Sequence, residues 1–197
     1  MRIWDINPGY LNRQSLLGEH RELHGLVSIL LHHKQGYSRH PETLRWVGYE
    51  WALWKRHQLL AAEMQLRGFC DRTPLVELVN TTGGQRQWPP VYIDPPLQQF
   101  ERLRLKYQDK QPGRLALPYN AQHLWSQHKY SVMARDYNQY KHLGPCVAQI
   151  KSATDFAELA TLLTEILRCP PSTGGLKTTL QHLWGYVSSA DALPQGT

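Results

Sequence analysis

Glu19-His20-Arg21-Glu22-Leu23-His24 concentrates the most reactive side chains of this 197-residue sequence in one short run. His20 and His24 are four residues apart, the spacing by which two imidazoles on one helix can share a zinc ion. A zincin needs its glutamate directly after the first histidine. Glu22 comes two residues later, about 200° round a helix, and so points away from the pair. No third ligand is identifiable from spacing, so the sequence assigns no metal and surface or core histidines are the default. Glu22 has a different setting, with Gly18, Gly25 and Ser15 on its own face. A glycine inside a helix costs up to about 1 kcal/mol. Two of them beside one carboxylate leave a trough poor in side chains, open to a substrate or to another backbone. Two readings stay open on these residues: an accessible catalytic carboxylate, or close helix packing with Glu22 paired to an arginine.

Such a carboxylate needs a helix beneath it. Leu16, Leu17, Leu23, Leu26, Val27, Leu30 and Leu31 recur at three- and four-residue steps and predict a helix over 13–34. The Asn7-Pro8-Gly9 turn precedes it and Gly36 is the expected cap. His40-Pro41 opens a second long helix, running to Gly68 on Trp46, Trp51, Leu53, Leu59, Leu60 and Ala62. Residues 70–97 contain Thr81-Thr82-Gly83-Gly84, Pro89-Pro90 and Pro95-Pro96 and read as an irregular loop. Beyond it about four helices are expected, at 97–108, 119–142, 155–168 and 174–187, the third capped by Asp155 with Glu158 three residues on. No alternation lasts long enough for a sheet. The expectation is an all-α chain of two helical units, 1–96 and 97–197, without internal repeats.

Composition narrows the class. A hydrophobic fraction of 41% with 19% charged residues excludes a wholly disordered chain. Apolar runs are too short for a membrane-spanning helix, so no membrane partner is expected. Met1-Arg2-Ile3-Trp4-Asp5 carries an early acid and no apolar h-region, which argues against a secretory signal. Cys70, Cys146 and Cys169 are odd in number and far apart, which suits a reducing cytoplasm. A formal charge of +6 with seven tryptophans and ten tyrosines suits a nucleic-acid binder, because cations displace counterions and rings stack on bases. Residues 1–98 hold 11 basic against 9 acidic residues, and 99–197 hold 11 against 7, so the second half reads as the more basic. Arg102, Arg104, Lys106 and Lys110 at its start are either a phosphate-tracking stripe or a solvated helix face.

Two longer patterns carry a resemblance. Leu11-x-x-Gln14-x-Leu16-x-x-Glu19-x-Arg21-Glu22-Leu23 resembles the first helix of phage pyrimidine-dimer DNA glycosylases of the endonuclease V type. Leu53-x-Lys55-Arg56-x-x-x-Leu60-x-Ala62-Glu63-x-x-x-Arg67-Gly68-Phe69 is similar to that family's other long helix. In that family a nucleophilic N-terminal residue precedes Arg-Ile. Met1-Arg2-Ile3 reproduces this register with Met1 in the nucleophile's place, and the interval to Glu22 matches without a gap. The resemblance implies an enzyme, a glycosylase and abasic-site lyase. Its α-amine attacks the sugar C1′, expels the base and forms a Schiff base. An α-amine titrates near 8 against about 10.4 for lysine, so a useful fraction of such groups is neutral at pH 7. Arginine at position 2 is too large for the usual methionine removal, so Met1 is expected to persist. The resemblance assigns Glu22 to charge stabilisation and proton transfer, and Arg2 and Arg21 to the phosphates flanking the opened base. A further family arginine, three residues after the glutamate, is replaced here by Gly25. The implied partner is double-stranded DNA with damaged or abasic sites, and no cofactor is implied, because both steps are acid–base and imine chemistry.

His128-Lys129-Tyr130-x-x-Met133-Ala134-x-Asp136-x-x-x-Tyr140-x-x-Leu143-Gly144-Pro145, followed by His182-x-x-Gly185-Tyr186, resembles a helical bacterial domain of unassigned chemistry. That domain also occurs fused to tRNA 4-thiouridine desulfidases, where RNA binding is ascribed to it. The resemblance makes His128, Lys129, Arg135 and Asp136 the candidate surface residues, with Lys129 and Arg135 as nucleic-acid contacts. His128 and Arg135 would share one helix face, and Lys129 and Asp136 another. A buried His–Asp pair that merely orders the helices is the competing reading. RNA or tRNA carrying a modified base is accordingly the alternative substrate, and a non-catalytic nucleic-acid-binding module the alternative function.

Overall fold

The structure, a computed structural model, describes residues 1–75 and 86–191, with side chains to 187. These residues are helical or irregular, with no strand among them, as the apolar periodicities require. Two compact units divide the chain, Met1–Leu117 and Pro118–Thr197.

The first unit begins with an N-terminal arm and a 3-10 turn, Pro8–Tyr10, then α1 (Arg13–Leu31), α2 (Pro41–Trp46), α3 (Glu50–Leu66) and α4 (Pro96–Lys106). Asn12 caps α1 by accepting the Ser15 amide at 2.9 Å. The helix stops at Leu31, short of the expected Gly36, and His33 then takes a left-handed backbone (φ 49°). The helix expected over 41–68 is two helices, because Gly48 at φ 82° turns the chain between α2 and α3. Its far end is as expected. Gly68 (φ 77°) closes α3 with Phe69 N–H bonding Met64 O at 2.9 Å and Gly68 N–H bonding Gln65 O at 3.0 Å. Pro89-Pro90 and Pro95-Pro96 flank irregular chain and the start of α4, while Thr81-Thr82-Gly83-Gly84 lies outside the described residues.

The division between units falls after Leu117 rather than at 96 because α4 completes the first core. Phe100 and Leu103 are buried, and Tyr10 meets Phe100 edge-on at 4.9 Å. Gln99 exchanges two hydrogen bonds with Asp5, at 2.8 and 2.9 Å. Gly113 runs against the arm so closely that a Cβ there would lie 2.5 Å from the Tyr10 carbonyl. Ile3, Ile6 and Leu11 of the arm region bury with Leu16 and Leu23 of α1 and Leu53 and Leu60 of α3. Each such burial contributes roughly 1.5–3 kcal/mol.

In the second unit α5 (Ala121–Met133) packs against α6 (Tyr137–Gln149), α7 (Ala153–Arg168) and α8 (Thr173–Asp191). Among the described residues, five helices thus follow the loop instead of about four. The helix expected over 119–142 parts because Asp136 caps α6, accepting the Gln139 amide at 2.9 Å. Ser152, three residues before Asp155, caps α7 and accepts the Asp155 amide at 3.0 Å. Gly175 admits the close approach of α8, since a Cβ there would lie 2.1 Å from the Ala134 carbonyl oxygen.

The arm is held by Arg56 of α3 and by Arg67 at its C-cap. Arg56 is 1% exposed and grips Glu19 of α1 through Nε (2.7 Å) and Nη2 (2.9 Å) while donating to the Ile6 carbonyl at 2.8 Å. Glu19 also accepts the Trp4 amide at 3.1 Å. At the C-cap of α3, Arg67 donates to Leu11 O at 2.7 Å and to Gly9 O at 3.2 Å. Glu63 orients it, and Arg114 closes on Glu63 at 2.7 and 2.9 Å. Burial alone would raise the Glu63 carboxyl, but the Arg114 and Arg67 guanidiniums hold it below its ordinary value.

Arg56→Met leaves Glu19 buried without its cation, which should lower the stability of the first unit by about 3–5 kcal/mol. Denaturant unfolding of the full chain checks this, with hydrogen exchange at Trp4 as the local readout. An unchanged Trp4 amide would mean that apolar contacts alone hold the arm.

Candidate functional site

The arm returns the N-terminus to α1. The Arg2 backbone N–H donates to Glu22 Oε2, one turn beyond Glu19, so residue 1 stands beside the Glu22 carboxylate. The Met1 side chain docks at α2, where the buried Thr43 hydroxyl lies 3.9 Å from its sulfur. Glu22 is exposed, and a Cβ built at Gly18 or Gly25 would meet nothing within 4 Å. Among the described residues nothing packs on the two glycines, and Glu22 takes an amide of the arm rather than an arginine side chain. Amine and carboxylate side by side, with open space along one helix face, are the parts needed for imine formation and proton transfer.

Arg2 and Arg21 are placed differently. Arg21 is exposed on α1. The Arg2 guanidinium bonds Asp94 and lies 4.4 Å over the Trp4 ring. Arg102 of α4 reaches the same carboxylate, with Nε at 2.9 Å, while its side chain stays 59% exposed. Burial would raise the Asp94 carboxyl, but Arg2 and Arg102 hold it below its ordinary value. Arg102 is one of the basic residues singled out in the sequence, but its meeting with Arg2 on Asp94 is not foreseeable there, since nothing local ties position 94 to position 2. Together they set two guanidiniums around one carboxylate, leaving a net cation near the N-terminus. With the division at 117, the first unit holds 16 basic against 11 acidic residues (+5) and the second 6 against 5 (+1). The expected charge asymmetry is therefore reversed, because Arg102, Arg104, Lys106 and Lys110 belong to the first unit.

On another face of α1, His20 and His24 meet His57 of α3, with ring centroids 4.7–5.0 Å apart. Asp71, just after the Gly68 cap, lies 3.3 Å from His20 Nε2 and 3.5 Å from His57 Nε2. Burial pushes the His57 imidazole down to about 4 and lowers His24, helped by His20. His20 Nε2 and both His57 nitrogens are buried without hydrogen-bond partners, each an unsatisfied group costing about 1–3 kcal/mol. A third imidazole beside His20 and His24 thus comes from another helix. A histidine on the second amphipathic helix was the only available signal, and pairing of α1 with α3 is a long-range fact.

The second-unit candidates do not assemble. His128 is buried, whereas Asp136 is exposed at the α6 cap, so the buried His–Asp pair is not formed. Arg135 donates to Cys169 O at 2.7 Å and Ser131 O at 2.9 Å, tying the end of α5 to the end of α7. Lys129 lies 4.9 Å over the Tyr130 ring. The shared faces inferred for these four residues required one continuous helix, and the chain leaves α5 at Ala134.

Residues 1–76 match the family model described as pyrimidine dimer DNA glycosylase. Residues 129–192 match a family model described as a protein of unknown function, in agreement with the unassigned helical domain expected there. No curated protein and no solved structure matches the chain. Among the described residues, no helix is long and apolar enough to cross a membrane.

Burial, with Arg135 nearby, lowers the His128 imidazole to about 4. Unfolding restores a value near 6.5, so the unfolded state binds more protons between those limits. Stability from neutral His128 is complete above about 6.5 and is lost as pH falls towards 4, by roughly 3 kcal/mol in all. Melting of the full chain across this range should fall less steeply in His128→Leu. Parallel curves for variant and parent would exclude His128 as the titrating group.

Proposed function

We propose that the chain is a DNA-repair glycosylase with abasic-site lyase activity, using the Met1 α-amine as nucleophile and Glu22 as its carboxylate partner. The single observation that carries this reading is the Arg2 amide bonded to Glu22, which sets the N-terminal amine beside the carboxylate. The match of residues 1–76 to the pyrimidine dimer DNA glycosylase model supports it independently.

In this mechanism the neutral amine attacks C1′ as the bond from C1′ to the base breaks, and the departing base takes a proton. Glu22 stabilises the cationic character that develops on the sugar. Loss of the remaining amine proton and opening of the sugar ring give the imine. Glu22 then removes a proton from C2′, the 3′ phosphate leaves, and water returns the free amine. No metal or redox group takes part in any of these steps. The target nucleotide must leave the stack before attack, and the glycine-lined trough beside Glu22 is the space assigned to it. Arg21, exposed on α1, and Arg102, exposed beside Asp94, are the cations proposed to hold flanking phosphates. Arg2 contributes through its amide and through Asp94, a change from the direct phosphate contact that the resemblance suggested. The second unit, close to neutral, is assigned no share of the chemistry.

Borohydride added to the protein with an abasic duplex should trap a covalent complex, and peptide mapping should place it on Met1. Trapping on a lysine with Met1 free would overturn the N-terminal mechanism. An absence of any trapped species would favour the non-catalytic binding module. Competition by modified tRNA would redirect the assignment to RNA.

Glu22→Gln keeps size and hydrogen bonding and removes the negative charge. Strand cleavage should drop roughly 100-fold or more, with affinity for the duplex unchanged or higher. Full cleavage in the variant would make Glu22 an anchor of the arm only.

A further inference from the structure

We propose that His20, His24, His57 and Asp71 form a metal site, three imidazoles and one carboxylate around a divalent transition ion of the zinc class. The four side chains present one donor atom each within 4.8 Å of all the others. Tetrahedral zinc with bonds of about 2.0–2.1 Å draws its donors to roughly 3.4 Å apart. The contacts of Asp71 with His20 and His57, at 3.3 and 3.5 Å, already have that spacing. Small side-chain movements bring in the rest.

Among the described residues, the buried imidazole nitrogens of His20 and His57 that face the cluster have no hydrogen-bond partner. His57 is fully buried, and neither of its ring nitrogens makes a hydrogen bond; nor does His20 Nε2. A cluster kept for packing alone would place apolar side chains in this position between α1 and α3, rather than three bases with unsatisfied lone pairs. Thr73 stands outside the donors, its amide bonding Asp71 Oδ1 at 2.9 Å and its hydroxyl 3.2 Å from His24 Nε2. Such outer contacts orient ligands. Nitrogen and carboxylate donors suit zinc, cobalt or nickel better than calcium or magnesium, which prefer oxygen throughout.

Four protein donors complete a tetrahedron and leave no open position, so the ion would be structural. It joins α1, α3 and the segment after the Gly68 cap. Glu22 lies two residues from His20 and faces elsewhere on α1, so the ion takes no part in chemistry at the N-terminus, and the assignment holds whether or not that chemistry occurs.

The test uses the full chain, stripped with EDTA and titrated with Zn²⁺ against a chromophoric chelator, then with Co²⁺ alone. One equivalent should bind, Co²⁺ should show the intense visible bands of a tetrahedral site, and the melting temperature should rise. Asp71→Asn and His24→Gln, both at incompletely buried positions, should each weaken Zn²⁺ binding by roughly tenfold or more and remove the rise in melting temperature. His142→Gln, in the other unit, should bind as the parent does. Helical circular dichroism of the metal-free variants separates loss of ligand from loss of fold. The proposal is overturned by absence of stoichiometric binding, by a weak octahedral cobalt spectrum, or by undiminished binding in both ligand variants.

Discussion

The buried ion pair between Glu19 and Arg56 is the constraint on which the first unit depends. Chain termini ordinarily fray, yet the proposed chemistry needs the first residue held against a particular carboxylate. Glu19 takes the Trp4 amide and Glu22 takes the Arg2 amide, so the arm runs antiparallel to α1, with alternate amides on carboxylates one turn apart. Two residues of extended chain cover about 6.6 Å and three residues of helix about 4.5 Å, a mismatch small enough for two flexible glutamates to bridge. Identical side chains therefore do different work according to burial. Glu19, closed in by Arg56, fixes the arm, while Glu22, beside two glycines, stays exposed as it takes the Arg2 amide.

A buried ion pair stabilises little beyond an apolar pair of equal volume, because both charges lose their water. What an apolar pair cannot do is specify direction. Arg56 has Glu19 on one edge and the Ile6 carbonyl on the other, and Arg67 repeats the device with Glu63 and the carbonyls of Gly9 and Leu11. Arg56, Glu63 and Arg67 of the second resembling block thus serve the arm, while Lys55 lies over the Trp51 and Trp54 rings. The bonds of Arg56 and Arg67 run from α3 and its C-cap to the segment that carries the amine.

Local physics made much of this legible in the sequence. The amphipathic repeat of α1, the Gly68 cap and the all-helical class follow from periodicity and backbone preference, and the register from Met1 to Glu22 needs only counting. The break at Gly48 was hidden because a single glycine inside an apolar repeat costs a helix little and acts as a terminator only when the flanking turns pack differently. The early boundary arose from reading prolines and glycines as a linker, whereas Gln99, Phe100 and Tyr107 carry long-range partners that spacing does not reveal. The fourfold cluster around His57 was out of reach for the same reason. Half of it, His20 and His24, is a helical spacing; the other half depends on which helix lies alongside.

Net charge shows the same limit in another form. A formal +6 suggested an electrostatic footprint for phosphate, but Arg2, Arg45, Arg56, Arg67 and Arg114 of the first unit are all engaged with carboxylates. Paired in this way they present little field to a polyanion, while the structure they support sets where the remaining cations stand. Arg102 is the intermediate case, bonded to Asp94 yet largely exposed, and Arg21 stands out from α1 next to Glu22 in sequence. The phosphate recognition proposed for this unit would then depend on a few cations placed around the N-terminus rather than on a broad basic stripe. Affinity from such a set has a shallow salt dependence, since each phosphate contact adds only about 0.7–0.9 to the slope of log affinity against log salt. Selection of a site would accordingly rest on how readily a damaged or unpaired nucleotide opens into the trough beside Glu22, where an undamaged duplex meets the same few cations without that gain.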